Sequence, residues 1–232
     1  MGKRMLHIIH LTAFQLSIQG DTAMIRRFSA LSRFLMLNRV HGRSGLNLVW
    51  KGVVVIKTAI RNEGKNNRLT IGEGTWIEDC AFHFSGDNNV VEIADDCAMH
   101  RLEIWISDGS RISIGRQTYA SGPSIIACHE STSVDIGEKS IFAENVAIRT
   151  GDSHSVLDAE GKRINPSRSI RIGNHVWVGH RATFLKGSSI ADDSVVGSGT
   201  LIAGQSFPAG SEIVGNPARI AKEHINWAMD LL

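Results

Sequence analysis

The most regular feature of the chain is an apolar side chain that returns at every sixth residue of its C-terminal half. Six successive positions carry it: Ile172, Val178, Phe184, Ile190, Val196 and Ile202. A period of six matches neither the 3.6 residues of an α-helical turn nor the two-residue alternation of a strand. With about a third of residues bulky and apolar, six such positions in a row arise by chance only about once in a thousand trials. The pattern therefore predicts a structural repeat.

A six-residue repeat is long enough for one short strand and one corner. Three such sides close a coil of about eighteen residues, and successive coils hydrogen-bond to each other at a spacing of about 4.8 Å. The residues at the repeated apolar position then stack into columns inside the molecule. This arrangement predicts an all-β solenoid made of hexapeptide repeats, in which the array and not the single coil supplies a sufficient core.

The earlier part of the chain carries the same pattern with longer spacings. Ile71, Ile93, Ile114 and Ile136 follow one another at steps of 22, 21 and 22 residues. These steps predict coils whose corners are slightly lengthened, so that the solenoid occupies residues 70–216. A polar stretch at 150–169 lacks the apolar repeat and is predicted to be a loop extruded from the coils. Long loops in compact domains are usually functional.

The two ends of the chain lack the repeat. Residues 1–69 are predicted to form an N-terminal helical or capping segment, with one helix from Asp21 to about Leu37, because repeat arrays need caps. Residues 217–232 are predicted to form a short C-terminal helix. The apolar run near the N-terminus is interrupted by histidine and glutamine, so that we expect neither a signal peptide nor a membrane span.

Composition narrows the function classes only slightly. The chain of 232 residues is 42% hydrophobic and has a formal net charge of +2, which gives no indication of a nucleic-acid partner, and we expect none. A basic cluster could touch an anionic membrane face, although a solvated helix face explains it as well: Arg26, Arg27, Arg33, Arg39 and Arg43. The odd set Cys80, Cys97 and Cys128 predicts buried free thiols in a reducing compartment, which favours a cytoplasmic location.

His154 is the strongest candidate for chemistry, although a surface histidine is the simpler interpretation. It lies in the sequence Asp-Ser-His-Ser at residues 152–155, near the start of the extruded loop. A neutral imidazole can accept a proton from a hydroxyl nucleophile near pH 7, and Asp152 or Asp158 could fix its tautomer.

Other candidates lie in the C-terminal coils. Trp177 is too large for a regular corner and is predicted to lie outside, where it could bind a ligand or a neighbouring subunit. Lys186, Arg219 and Lys222 could hold a ligand phosphate, or could be ordinary solvated charges. Backbone N–H groups near three further residues could serve a ligand that lies along the coils: Gly179, Ser198 and Ala203.

Taken together, these segments resemble a known family. The stretch VWVGHRATFLKGSSIADDSVVGSGTLIAGQSFPAGSEIVGNPARI is similar to the C-terminal signature of the hexapeptide-repeat acyltransferases, which are left-handed parallel β-helices. With RTGDSHSVLD upstream and residues 224–227 downstream, the chain is most similar to bacterial O-acetyltransferases of sialic acid and capsular polysaccharides. The resemblance covers roughly residues 70–228.

The resemblance implies an acetyl-CoA-dependent O-acetyltransferase that acts on a bacterial surface carbohydrate. It implies a homotrimer with active sites between subunits, no metal, and direct transfer with His154 as general base. Trp177 would contact the thioester end of coenzyme A, and Asp152 and Ser153 would border the acceptor. The implied donor contacts are Trp177, Gly179, His180, Lys186, Ser198, Ala203, Arg219 and Lys222.

Two other functions stay open at the level of sequence. His175 and His180 could be ligands of a zinc enzyme like the γ-class carbonic anhydrases, which share this fold, but two imidazoles are an incomplete zinc site. The chain could also be a non-catalytic scaffold, in which case replacing His154 would leave its biological function intact. The acceptor stays open as well, among sialic acid, another capsular sugar and an O-antigen residue.

Overall fold

A computed structural model describes residues 38–230, which form one parallel β-helix of eight coils. The described residues contain twenty-five strands and no helix. Each coil contributes one strand to each of three sheets, named here A, B and C in the order in which the chain enters them. The helix predicted from Asp21 to Leu37 lies outside the described residues.

Sheet A contains the first strand of each coil, in sequential order. Its strands are β1 (Arg39–His41), β4 (Ala59–Glu63), β7 (Ala81–Ser85), β10 (Leu102–Ser107), β13 (Ser124–Cys128), β16 (Ala147–Arg149), β19 (Thr183–Leu185) and β22 (Leu201–Ala203).

Sheet B contains the second strand of each coil and has a largely polar outer face. Its strands are β2 (Leu46–Trp50), β5 (Asn67–Ile71), β8 (Val90–Ile93), β11 (Arg111–Ile114), β14 (Ser133–Ile136), β17 (Ile170–Ile172), β20 (Ser189–Ile190) and β23 (Ser206–Phe207).

Sheet C contains the third strand of each coil and one additional strand at its end. Its strands are β3 (Val54–Ile56), β6 (Trp76–Glu78), β9 (Ala98–His100), β12 (Tyr119–Ala120), β15 (Ile141–Phe142), β18 (Trp177–Val178), β21 (Val195–Val196), β24 (Glu212–Val214) and β25 (Arg219–Lys222).

The predicted apolar columns form the core. All six residues of the C-terminal repeat are at most 1% exposed. Phe184 of β19 lies in register between Ile148 of β16 and Ile202 of β22, so that one inner column of sheet A continues across three coils. Side chains alternate between inside and outside along each strand, which leaves the neighbours of the core residues on the outer faces.

The coil length changes along the chain. Residues that bond across neighbouring coils are 22 positions apart in the N-terminal part, as for Thr118 and Ser140, and 18 apart in the C-terminal part, as for Asn174 and Asp192. Between these parts, Glu138 and Asn174 are 36 positions apart although their coils are adjacent. The extruded loop therefore adds the length of one C-terminal coil without changing the phase of the repeat.

Two boundary predictions are wrong. The β-helix begins at Arg39 and not at residue 70, because Ile60 and Leu69 already occupy inner positions in register with Phe82 and Val91 of the next coil. The predicted C-terminal helix is also absent from residues 217–230: β25 pairs antiparallel with β24 and covers the open edge of the last coil. An unpaired strand edge favours such pairing, because it presents a row of free backbone groups.

The three cysteines are free and buried, as predicted. Burial raises the pKa of the Cys80 and Cys97 thiols to about 12 and also raises the pKa of Cys128. Residues 38–230 contain no helix with the length and apolar character needed to span a membrane.

Candidate active site

The extruded loop leaves the β-helix at the corner between sheets A and B, because it joins β16 to β17. It turns back on itself as a short hairpin in which Leu157 bridges Arg163 in antiparallel fashion. The Asp158 carboxylate closes the tip by accepting hydrogen bonds from the backbone N–H groups of Glu160 and Lys162. His154 lies exposed on the outgoing arm of this hairpin.

Asn165 ties the two arms of the loop together. Its side-chain amide donates to the His154 carbonyl at 2.8 Å and to the Asp152 carboxylate at 2.8 Å, and its side-chain oxygen accepts the Val156 N–H at 2.7 Å. The residue is only 8% exposed. One side chain thus binds the backbone at His154 and Val156 and the side chain of Asp152, and the sequence motifs did not indicate it.

Lys186 anchors the same arm to the next coil. Its ammonium group forms an ion pair with Asp152 and donates to the Asn165 carbonyl at 3.2 Å. The hydrogen bond from Lys186 and a second from Asn165 lower the pKa of Asp152 below its ordinary value. The family resemblance implied that Lys186 would contact coenzyme A and that Asp152 would border the acceptor. In the single protomer they bind each other and fix the loop.

The returning arm is held by a second ion pair. Arg163 lies 2.7 Å from the Glu130 carboxylate, which also accepts the Ser167 N–H at 3.1 Å. These hydrogen bonds, with that from Arg163 the larger effect, lower the pKa of Glu130 to about 2. The ion pair between Glu130 and Arg163 spans the base of the loop. No sequence motif indicated it.

The carboxylates expected to orient His154 are engaged elsewhere within the protomer. Asp152 binds Lys186 and Asn165, and Asp158 binds the backbone at the loop tip. Ser153 lies in the left-handed region at φ 62, which turns the chain sharply just before His154. The loop therefore positions His154 through its backbone and leaves its ring at the surface.

Trp177 lies outside the coils, as predicted, and is 45% exposed. It belongs to sheet C, where it pairs in register with Ile141 on one side and Val195 on the other. In a three-sided β-helix, sheet C is the face opposite the corner between sheets A and B. His154 and Trp177 therefore lie on opposite sides of the same protomer.

The outer face of sheet C continues from Trp177 toward the last coil. In register, Trp177 is followed by Val195, Glu212 and Lys222, which are three strand spacings or about 14 Å in total. Arg219 begins the same terminal strand and is exposed. Lys222 forms an ion pair with Glu212 at 2.9 Å. The basic end of this face and the exposed indole are thus separated by about the length of an extended pantetheine arm.

The other residues predicted to contact coenzyme A lie at two places in the fold. His180 and Ser198 lie at the corner between sheets C and A, in successive coils, where Ser198 is exposed. Gly179 is buried in the same corner, and a Cβ there would come within 2.7 Å of the Ser198 nitrogen, so that its role in the described structure is close packing. Ala203 lies on the outer face of sheet A, in register with Leu185.

Comparison with known proteins gives the family. The model of the bacterial transferase hexapeptide (six repeats) matches residues 169–204. A polysialic acid O-acetyltransferase of Neisseria meningitidis is 35% identical over 172 residues, which cover 71% of this chain and 76% of the relative. The chain belongs to the hexapeptide-repeat acyltransferase family. It is therefore an acyltransferase, and its β-helix is left-handed, as the resemblance implied.

Two solved structures of this acyltransferase family extend the similarity over most of the fold. A polysialic-acid-specific acetyltransferase superposes with a TM-score of 0.79 at 30% identity, covering 84% of this chain and 90% of the other. A second polysialic acid O-acetyltransferase superposes with a TM-score of 0.69 at 27% identity, covering 84% and 92%.

The alternative zinc site does not assemble in the described part of this acyltransferase. The His175 ring nitrogen lies 2.9 Å from Asp193, whereas that of His180 lies 3.8 Å from Glu144. Residues 38–230 contain no group of three side chains placed to hold a metal ion. The two imidazoles thus pair with different carboxylates.

Proposed function

We propose that the protein is an acetyl-CoA-dependent O-acetyltransferase that modifies a bacterial cell-surface sugar. Membership of the acyltransferase family supports the reaction class, and the names of the similar proteins, polysialic acid O-acetyltransferases, favour sialic acid among the capsular and O-antigen sugars. The observation that carries the proposal is the anchored loop. Buried Asn165, Lys186 and the ion pair of Glu130 with Arg163 fix the backbone of the loop that presents the exposed His154.

His154 is the general base in this proposal. Its imidazole takes the proton of the sugar hydroxyl as that oxygen attacks the acetyl carbonyl. The tetrahedral intermediate then collapses, the carbon–sulfur bond breaks, and the imidazolium returns its proton to the departing thiolate. The oxyanion needs a donor, which a backbone N–H or the Trp177 indole can supply. The loop offers no evident protein nucleophile beyond its serines, which favours direct transfer over an acyl-enzyme.

The acyl donor is proposed to lie along sheet C. Its phosphates would meet Arg219 and Lys222, and its thioester would reach Trp177 about 14 Å away. His180 and Ser198 would border the arm at the adjacent corner. The exposed Lys222 can exchange its partner Glu212 for a phosphate, because surface ion pairs contribute little free energy.

The two halves of this site belong to different protomers of a homotrimer. His154 projects at the corner opposite the face that carries Trp177, so that one protomer cannot bring them together. The loop also exposes three apolar side chains beside His154, each more than half exposed, which is typical of a surface that binds another protein: Val156, Leu157 and Ile164. Contact between this loop and sheet C of a neighbour would complete the site.

A cytoplasmic location remains part of the proposal, because acetyl-CoA is available there and the three buried thiols are free. A peripheral contact with the membrane through the N-terminal basic cluster, and the absence of a nucleic-acid partner, also stay predictions.

The test is an assay of thiol release from acetyl-CoA against a panel of glycans. We expect turnover with sialic acid oligomers or another anionic surface sugar, and a fall in kcat of about 10²–10⁴-fold for His154→Ala without loss of folding. Asp158→Ala is the matched control, because this carboxylate stabilises only the loop tip. Absence of turnover with every acceptor together with absence of CoA binding would contradict the proposal.

A further inference from the structure

The C-terminal tail beyond β25 lies across the corner between sheets B and C. The Ile225 N–H donates to the Gly210 carbonyl at 2.9 Å, and two residues later the Trp227 indole donates to the His175 carbonyl at 2.8 Å. Gly210 and His175 belong to coils that are separated by one further coil, since Gly210 bonds to Asp192. The tail thus crosses three coils and ends beside the strand that carries Trp177.

Three aromatic rings meet where the tail ends. Trp227 stacks on His175 with ring centroids 4.2 Å apart and an interplanar angle of 13°. His175 is fixed in turn by its contact with Asp193 at 2.9 Å. Trp177 also lies near Trp227, with centroids 6.1 Å apart at an angle of 48°. This separation and tilt are typical of favourable aromatic pairs.

We propose that Trp227 is a positioning residue of the acyl-donor site, where it holds the indole of Trp177 in the orientation that receives the thioester arm of the donor. The inference rests on the proposed function. It assigns a role to the C-terminal tail, to which the proposed function gives none. Trp227 itself is fixed by a stack and a hydrogen bond, whereas Trp177 is nearly half exposed and would have room to turn without this neighbour.

Geometry favours this role over that of a simple end cap. A cap is needed at the last coil, and β25 already pairs with that edge. Trp227 instead contacts the coil of His175, two coils further in, next to the predicted thioester position. An indole that is held from one side presents its opposite face to a ligand with less loss of side-chain entropy on binding.

The experiment measures CoA affinity by calorimetry, and KM for acetyl-CoA and kcat by thiol release, for Trp227→Ala, Trp227→Phe and Met229→Ala. We expect Trp227→Ala to raise Kd for CoA and KM for acetyl-CoA about three- to tenfold, which is the size expected from one aromatic contact. Trp227→Phe restores most of the affinity, because a phenyl ring can occupy the same stack. Met229→Ala, an exposed change in the same tail, leaves all three constants unchanged.

Two results would overturn the assignment. If Trp227→Ala lowers thermal stability but leaves Kd and KM as in the wild type, the residue only anchors the tail. If affinity falls and Trp227→Phe does not restore it, the stack on His175 is not what positions the donor. A wild-type protein that binds no CoA would overturn the proposed function, and this role with it. The failure of the inference alone is recognised by wild-type binding that Trp227→Ala does not change.

Discussion

At the scale of single residues, the candidate site depends on side chains that fix the position of the loop carrying His154. Asn165 uses both ends of one amide to bind the backbone, at the His154 carbonyl and at the Val156 N–H, and it contacts the Asp152 carboxylate as well. A buried amide that loses such partners leaves polar groups unsatisfied, which costs about 1–3 kcal/mol. Without the Asn165 side chain, the loop would no longer hold one defined conformation.

Replacing Asn165 with alanine is expected to lower kcat by one to two orders of magnitude while KM for acetyl-CoA stays unchanged. The reason is that an imidazole displaced by about 1 Å loses much of its catalytic advantage, whereas the donor face on sheet C is untouched. Steady-state kinetics measure both constants. Asn66→Ala, an exposed asparagine of an early coil, is the control, and an unchanged kcat for Asn165→Ala would contradict the positioning role.

The ion pair at the base of the loop gives a prediction about pH. The pKa of Glu130 is lowered from an ordinary value near 4.5 to about 2. A lowered carboxylate pKa means that the contact stabilises the folded loop fully above the ordinary value and is lost as the pH falls through the folded one. NMR titration should therefore find Glu130 still ionised at pH 4. A midpoint near 4.5 would show that Arg163 does not hold it in solution.

At the scale of elements, the loop is an insertion that leaves the repeat in phase. The step across it is 36 residues, twice the 18-residue step of the coils that follow. Removing residues 151–168 would place Ile148 six positions before Ile172, as in an uninterrupted repeat.

That deletion is expected to yield a folded protein without transferase activity. The inner columns stay continuous, and shortening a surface loop lowers the entropy cost of closing it. Circular dichroism and thermal unfolding measure the fold, and thiol release measures activity. His154→Ala, which keeps the loop but removes the imidazole, is the control. Retained turnover in the deletion variant would exclude the loop from the chemistry.

The sequence predicts the strands correctly where the apolar residues return at a constant step. It misses strands where that step changes. The run from Ile172 to Ile202 keeps one step, and every member is buried as expected. In residues 38–69 the step to the next coil is 20 residues from Val40 to Ile60 but 22 from Ile60 to Phe82, so that no single step marks these coils. The C-terminal strand was missed because its pairing with β24 depends on an open edge that only the assembled coils create.

The residues of the candidate site also divide into those that a sequence motif indicates and those that only the folded chain brings together. His154 and Trp177 stand in recognisable motifs, and both are exposed as predicted. Asn165, Glu130 and Trp227 act through partners 9 to 52 positions away. Contacts at such separations depend on how the loop and tail fold back, which no local spacing reveals.

At the scale of the whole molecule, the β-helix is a three-sided rod that separates the two parts of the proposed site. The anchored loop projects at one corner, and the exposed indole lies on the opposite face, in line with the basic terminal strand. In the proposed homotrimer, each loop would reach the face of a neighbour, and a closed ring of three protomers would make three equivalent sites. Activity would then be a property of the assembly.

Mixing two inactive variants tests this claim most directly. His154→Ala and Trp177→Ala chains, co-expressed in equal amounts and purified together without separating the trimers, are expected to recover about a quarter of wild-type activity. Random assembly places one intact imidazole opposite one intact indole at about one site in four. Each variant alone gives the background. Mixed trimers that stay at the background of the single variants would contradict the composite site.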